Sequence, residues 1–164
     1  MTTDPAQPDI AVPAPDHYIG HLLRRMQQLH LAAWIRDVST EVTSVQFAAL
    51  SVLARDPGAS QAVLGKSLDL DRSTIADLVR RMVARDLLTR TKSGDDSRRY
   101  VLYLTTHGRG LLDELRPRVE RLEPILTMGL GTEESAQLRS FLSTVLVSAG
   151  ASGLLAGSNS ASSP

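Results

Sequence analysis

The chain of 164 residues is long enough for one domain with a sizeable core, and 42% of its residues are hydrophobic. It contains no cysteine, which excludes disulfides, thiolate catalysis and zinc sites built on cysteine. Its 18 Lys and Arg residues balance its 18 Asp and Glu residues, so the formal net charge is zero. No apolar run is long enough to span a membrane, and the N-terminus lacks the pattern of a signal peptide. We therefore expect a cytoplasmic protein that does not enter the membrane.

The charge is distributed unevenly along the chain. Residues 71–109 carry nine Lys or Arg and five Asp, a balance of +4, so the remaining residues together carry −4. A local surplus of positive charge is compatible with a nucleic-acid partner, because the net charge of a whole chain conceals its distribution.

The N-terminal residues predict an arm followed by a helix. Four prolines within residues 1–15 predict an extended, flexible arm. Asp16 is predicted to cap a first helix that ends near Asp37. Apolar residues recur along it at spacings of three and four, which predicts a single apolar face. These residues are Ile19, Leu22, Leu23, Met26, Leu29, Ala33 and Trp34.

Three more helices are predicted before the middle of the chain. Thr43 and Gln46 have the spacing of a capping box, which opens a largely apolar second helix to about residue 54. Ser60 is expected to cap a short third helix over residues 61–67. After a turn, Asp71 is expected to cap a fourth helix over residues 72–85. The apolar residues of its predicted inner face are Ile75, Leu78, Val79, Met82 and Val83.

A β-hairpin and two further helices complete the predicted order. The strands are expected at residues 87–91 and 99–104. Thr105 is expected to cap a long helix to about residue 128, which Pro117 should kink or break. A glycine turn precedes a last helix to about Ser148, and the small polar residues 149–164 are predicted to be disordered. The fold class is therefore mainly α with a small hairpin, in the order α-α-α-α-β-β-α-α.

The third and fourth helices, joined by a short turn and followed by the hairpin, form a winged helix-turn-helix. In this motif the second helix enters the major groove of DNA, where Ser, Thr and Arg side chains can contact base edges or phosphates. The exposed candidates on the fourth helix are Arg72, Ser73, Thr74, Asp77, Arg80 and Arg81. The alternative explanation of this surface is an ordinary solvated helix face.

The hairpin loop adds two arginines, Arg98 and Arg99. A loop arginine can reach the adjacent minor groove or the phosphates, but it loses side-chain entropy when it binds. Asp96 stands two residues before Arg98 and can hold its guanidinium extended through an ion pair. The alternative is a polar turn with incidental charges.

These motifs resemble the MarR family of transcriptional regulators. Asp96-Ser97-Arg98, five further residues and then Leu104-Thr105 match the family's wing signature, D-x-R-x5-L-T. Four further segments resemble the starts of that family's second, fourth and fifth helices and its first wing strand. The segments concerned are residues 43–47, 68–75, 105–108 and 87–90. The resemblance covers about residues 17–148.

The resemblance implies a domain over residues 16–148 with its winged helix-turn-helix at about residues 43–105. Helices at about residues 16–37 and 106–148 would form a homodimer that binds a pseudo-palindromic DNA operator. A small molecule would release the DNA, and such regulators usually repress. By position in the motif, Arg98 would enter the minor groove, Asp96 would tether it and Arg99 would contact phosphate. Pro117 and Pro124 depart from the family pattern and would alter the crossing angle of the dimer.

The first helix contains the candidate effector site. His30 lies near the centre of the apolar stripe, with Trp34 at its edge and Arg25 on the other flank. These residues can line a pocket, and the resemblance favours an aromatic carboxylate or phenolic compound as its ligand. The alternative is a core or dimer-interface histidine bonded to a backbone carbonyl. His17 and His21 have a metal-binding spacing but no evident third ligand, so neither a metal nor a cofactor is predicted.

The same sequence bears on two other functional classes. No phosphate-binding glycine loop, zinc motif or nucleophile elbow appears, so an enzyme is not expected. A winged-helix adaptor that binds proteins and never contacts DNA is the remaining alternative. Salt dependence of binding to random duplex DNA distinguishes the two, because only a DNA binder shows a steep negative slope.

Overall fold

The computed structural model describes residues 14–92 and 100–155, which form six α-helices and one two-stranded sheet. A 3-10 turn at Pro15–His17 precedes α1 (Ile19–Asp37), α2 (Ser44–Arg55), α3 (Gln61–Ser67) and α4 (Arg72–Ala84). The remaining elements are β1 (Leu88–Lys92), β2 (Tyr100–Leu104), α5 (Thr106–Leu126) and α6 (Thr132–Ala151). The predicted winged helix-turn-helix and its element order are confirmed. None of the described helices is long and apolar enough to cross a membrane.

Polar side chains begin four of these helices at the predicted positions. The Gln46 amide donates to Thr43 Oγ1 at 3.2 Å, and the Thr43 amide donates back to Gln46 Oε1 at 3.0 Å, which completes the capping box of α2. Ser60, Asp71 and Thr105 accept backbone amides in the first turns of α3, α4 and α5. The starts of α2, α3, α4 and α5 are therefore predictable from interactions within three residues.

The start of α1 differs from the prediction. Asp16 is not its cap, because the chain first makes the 3-10 turn at Pro15–His17, and Tyr18 then occupies the N-cap without a side-chain hydrogen bond. The Asp16 carboxylate instead accepts a hydrogen bond from Arg25 Nη1 at 3.0 Å. At the other end of the chain, α6 extends to Ala151, so residues 149–151 of the predicted tail are helical.

The core consists of two clusters that share Phe47 and Leu111 as partly buried neighbours. One cluster joins α2, α3 and α4 to the wing; its largest fully buried side chains include Leu50, Leu53, Leu64, Met82, Leu87, Leu88 and Leu102. The other joins α1 to α5 and contains Ala33, Trp34, Val38, Val42, Leu115 and Leu122. Phe47 and Leu111 thus connect the winged helix with the long helices α1 and α5.

The wing is held against the body by its second strand. β1 and β2 pair antiparallel, with Leu88 opposite Leu104 and Arg90 opposite Leu102. Leu102 also exchanges backbone hydrogen bonds with the connection between α2 and α3: Gly58 N donates to Leu102 O at 2.9 Å, and Leu102 N donates to Ala59 O at 3.0 Å. These bonds place the wing beside the helix-turn-helix.

Val83 lies outside the core, contrary to its predicted place on the inner face of α4. It is 38% exposed, whereas the adjacent Met82 is fully buried. Successive helical residues are about 100° apart, so the side chain that follows a core residue can turn away from the core. Val83 consequently lines a groove between α4 and the wing.

The sequence predicted that Pro117 would kink or break the long helix, and the structure contradicts the break. α5 is helical from Thr106 to Leu126, through both Pro117 and Pro124. Each proline removes the partner of the carbonyl four residues earlier, at Asp113 and at Glu120. All four residues are exposed in this chain, so water can bond these carbonyl groups and the helix continues.

Candidate nucleic-acid interface

The first turn of α4 is organised by the carboxylate of Asp71. Its Oδ1 accepts the backbone amides of Ser73 and Thr74 at 2.9 Å each. Both hydroxyls donate to the same carboxylate, at 2.5 Å each. These hydrogen bonds, the Ser73 hydroxyl first, hold the pKa of Asp71 well below its ordinary value, so the group stays ionised. Because their protons point to Asp71, the two hydroxyls can offer only lone pairs to a base edge.

A second carboxylate, Asp77, binds two arginines one turn further along α4. Arg80 Nη2 donates to Asp77 Oδ1, and Arg81 Nε lies 3.0 Å from Asp77 Oδ2. The hydrogen bond from Arg80 lowers the pKa of Asp77. Exposed ion pairs of this kind contribute little to stability, so their main consequence is to orient the two guanidinium groups.

A groove of about 990 Å³ separates α4 from β1. The residues that line it are Gln61, Asp71, Arg72, Ser73, Ala76, Val79, Arg80, Val83 and Arg90. It therefore brings Arg72, Ser73 and Arg80 of the predicted DNA-binding set to one concave surface, whereas Thr74, Asp77 and Arg81 lie beside it on α4. Three arginines and one aspartate line this surface, so its charged side chains sum to +2.

Arg90 is a candidate contact that the motif analysis missed. It is exposed on β1, and its guanidinium carbon lies 4.0 Å from the centroid of the Tyr100 ring on β2, in a cation–π contact. This contact holds Arg90 at the groove opposite α4. The sequence offers one indication of this role, since Arg90 lies within the basic segment 71–109. Its contact with Tyr100 is not predictable from the sequence, because it depends on the register of the two strands.

Asp96, Arg98 and Arg99 lie in residues 93–99, outside the described part of the chain. The strands that flank this segment end in the pair Lys92 and Tyr100. The roles assigned to the three loop residues therefore stay predictions.

The candidate effector residues are only partly brought together. The rings of His30 and Trp34 meet edge to face with centroids 6.0 Å apart, and the ring centroids of Trp34 and Phe47 lie 5.8 Å apart at a tilt of 60°. Trp34 Nε1 donates to the Val42 carbonyl at 2.6 Å, so its polar group already has a partner. Arg25 does not join them in any hydrogen bond or ion pair; it is bound to Asp16. His30 itself is half-buried.

The two histidines near the N-terminus have other neighbours. His21 Nε2 lies 3.4 Å from Asp16 Oδ1, and His17 meets the ring of Tyr18 edge to face at 5.6 Å. Within residues 14–92 and 100–155, no three His, Asp or Glu side chains converge as metal ligands.

The outer helices expose a large apolar surface. α6 contains no buried residue, and Phe141 and Val145 on it are 66% and 65% exposed. α1 exposes a similar set of side chains: Ile19, Leu22, Leu23, Met26, Leu29, Leu31 and Ile35. Many exposed large apolar side chains on two helices are typical of an interface.

Comparison with known proteins gives consistent matches. A sequence profile described as the MarR family matches residues 40–99. The HTH-type transcriptional repressor NicR of Pseudomonas putida is 35% identical over 112 residues, which cover 68% of this chain and 70% of that protein.

Two solved structures are similar over most of their length. The PcaV transcriptional regulator of Streptomyces coelicolor, in complex with its natural ligand, has a TM-score of 0.80 at 36% identity; the match covers 85% of this chain and 99% of that chain. BpsR of Bordetella bronchiseptica, whose DNA binding is regulated by 6-hydroxynicotinic acid, has a TM-score of 0.77 at 27% identity. That match covers 82% of this chain and 96% of that chain.

Proposed function

The chain belongs to the MarR family of transcriptional regulators, and we propose that it is a repressor that leaves its DNA operator when a small aromatic acid or phenolic compound binds. The observation that carries the proposal is the groove between α4 and β1, where Arg72, Arg80 and Arg90 converge. A recognition helix and a basic wing on one concave surface can contact a major groove and the phosphates beside it.

The repressor role and the ligand class are supported by the relatives. NicR is a repressor, and the DNA binding of BpsR is regulated by 6-hydroxynicotinic acid, a hydroxylated aromatic acid. In this chain, the half-buried His30 offers an imidazole to such a ligand, and the buried ring of Trp34 lies beside it. The site lies in the cluster that joins α1 to α5, which also contacts α2 through Phe47. A ligand there can therefore act on the packing between the outer helices and the winged helix.

We also propose that a second copy of the chain covers the apolar surface of α1 and α6. A helix in a protein gains most of its stability by packing an apolar face against other segments. No side chain of α6 is buried within the chain, so its apolar face lacks such packing. A two-fold dimer presents both recognition helices to a pseudo-palindromic operator. Light scattering should give the mass of two chains of 17.7 kDa; a single-chain mass at binding concentrations would contradict the dimer.

The operator and effector are tested together. The DNA upstream of the chain's own coding region, and operators selected from a randomised duplex pool, are assayed by gel shift at two salt concentrations. We expect specific, steeply salt-dependent binding, because phosphate contacts release counterions. We further expect release by a member of a panel of hydroxybenzoic acids and 6-hydroxynicotinic acid. Binding to no duplex would favour the protein adaptor, and release by none of these acids would overturn the ligand class.

Arg98→Ala is expected to weaken operator binding by about 1–3 kcal/mol, the scale of one good base contact. The reason is the match of Asp96 and Arg98 to the family's wing signature, which implies that Arg98 enters the minor groove. Fluorescence anisotropy with labelled operator measures the loss. Arg121→Ala, which removes an exposed arginine of α5, is the matched control and should change the affinity little. Equal affinities for the wild type and Arg98→Ala at physiological salt would refute the assignment.

A further inference from the structure

We propose that Asp77 is a specificity-determining residue, which binds Arg80 and Arg81 in the free protein and thereby keeps binding to random DNA weak. The inference rests on the proposed DNA binding and deepens it. It assigns to Asp77 a task distinct from that of the arginines on the same helix face: limiting their attraction to any phosphate.

The geometry places one carboxylate between two guanidinium groups. Arg80 and Arg81 follow Asp77 by three and four residues, the spacings that put side chains on one face of a helix. Each arginine contacts a different carboxylate oxygen, so both oxygens of Asp77 are engaged at once. The three side chains are largely exposed, at 46% for Asp77, 72% for Arg80 and 56% for Arg81. They therefore stand on the surface that DNA would approach, with a combined charge of +1 rather than +2.

Phosphate oxygens compete with the Asp77 carboxylate for the same donors. A charge-assisted hydrogen bond must be exchanged before either arginine can contact a phosphate fully. Random DNA offers phosphates everywhere, and these carry no sequence information. On random DNA the exchange would leave the Asp77 carboxylate without a partner and close to negative phosphates. Its charge therefore opposes binding that depends on phosphates alone.

An operator can provide what random DNA lacks. A carboxylate on a recognition helix can accept a hydrogen bond from the N4 amino group of cytosine in the major groove. When a cytosine lies opposite Asp77, its amino group becomes the partner of the carboxylate, and the two arginines can turn to the phosphates of the DNA. The cost of releasing them is then offset only at the correct sequence, so the operator is favoured over other DNA.

The other charged groups of α4 and the wing are held differently. Asp71 is engaged by the amides and hydroxyls of the first helical turn and forms no ion pair with an arginine of the described residues. Arg90 stacks on Tyr100, and Arg72 forms no hydrogen bond or ion pair with any residue in the described ranges. Among the described residues, the restraint by Asp77 therefore acts on Arg80 and Arg81 and leaves Arg72 and Arg90 without an ion pair.

The experiment compares Asp77→Asn with Asp113→Asn in the full chain. Asp113 lies on α5 and pairs with Arg116 Nη2 at 3.2 Å across the same three-residue spacing. Both variants remove one negative charge from an exposed Asp–Arg pair, so they change the net charge of the chain equally. Binding is measured by fluorescence anisotropy with a random duplex and with a pool-selected operator, each over a range of salt concentrations.

Asp77→Asn is expected to bind the random duplex about 5–10-fold more tightly at low salt. The slope of log affinity against log salt should become more negative by up to about 2, since each added phosphate contact contributes about 0.9. Operator affinity should change less, so the ratio of operator to random binding falls. Asp113→Asn should shift the random-duplex affinity by less than about twofold and leave the slope unchanged. Replacing Arg80 and Arg81 with Gln in the Asp77→Asn background should abolish the gain.

Two results would overturn the inference while leaving the proposed function intact. One is an equal response of Asp77→Asn and Asp113→Asn, which would indicate a general charge effect. The other is weaker binding of Asp77→Asn to random duplex. Failure of the wild type to bind either duplex would instead refute the proposed function, and the inference with it. Circular dichroism confirms that each variant is folded before its affinity is compared.

Discussion

Gly108→Ala is expected to lower the free energy of unfolding by about 3 kcal/mol, the upper part of the range for overpacking a close contact. A Cβ atom at Gly108 would lie 2.0 Å from the Leu87 carbonyl oxygen, well inside the contact distance. That oxygen already accepts a hydrogen bond from the Thr105 amide at 3.2 Å. Backbone rather than a flexible side chain opposes the new methyl group, so relief requires α5 to move away from the connection between α4 and β1.

Gly108 also takes part in the hydrogen bonds that connect the start of α5 with the segment before β1. Thr105 Oγ1 accepts from the Gly108 amide at 2.8 Å and donates to the Asp86 carbonyl at 2.6 Å. Displacement of Gly108 would therefore weaken the cap of α5 as well as its packing.

Gly110→Ala is the matched control for this substitution. Apart from the adjacent backbone of α5 itself, no atom of the described residues lies within 4 Å of the position where its Cβ would be built, so the change should be neutral or stabilise the helix by up to about 1 kcal/mol. Urea unfolding at one fixed protein concentration measures both variants, because a dimer's stability depends on concentration. Equal midpoints for the two variants would show that the close approach of α5 to Leu87 is absent in solution.

Trp34→Ala is expected to cost about 3–5 kcal/mol, the range for removing a buried aromatic side chain. Trp34 is 4% exposed and belongs to the cluster that joins α1 to α5. Its removal also deprives the Val42 carbonyl of the hydrogen bond from Nε1 and removes the ring contacts with His30 and Phe47. Denaturant unfolding followed by circular dichroism gives the change.

Trp34→Phe separates the hydrogen bond from the packing. Phenylalanine retains most of the aromatic contacts but leaves the Val42 carbonyl without its donor, at a cost of about 1 kcal/mol for the lost hydrogen bond in addition to the smaller ring. A loss of less than about 1 kcal/mol for Trp34→Ala would contradict the core role of Trp34.

Local signals predicted most of the secondary structure. The capping box of Thr43 and Gln46 and the caps at Ser60, Asp71 and Thr105 all lie where the sequence placed them. Each depends on groups within three residues of one another, and these groups meet as soon as the helix forms. The error at Asp16 has the same scale: a single proline-led 3-10 turn moved the N-cap of α1 from Asp16 to Tyr18, two residues along the chain.

Features that depend on neighbouring segments were harder to predict. The effect of Pro117 could not be read from its presence in a helical pattern, since it depends on whether the carbonyl of Asp113 faces water or protein. The exposure of Val83 likewise depends on where the wing ends and the groove begins. Arg25 was grouped with His30 and Trp34 from a helical wheel, but Asp16 in the preceding turn supplies its partner.

By itself, the sequence determined the helix caps, the element order, the basic segment around the recognition helix and the wing motif that identifies the family. These depend on interactions between residues close in the chain or on short patterns. Only the tertiary structure decided that Arg90 stacks on Tyr100, that Trp34 donates to Val42 and that Gly108 approaches Leu87. Such contacts join segments that are separate along the chain, and their geometry exists only after strand register and helix packing have been established.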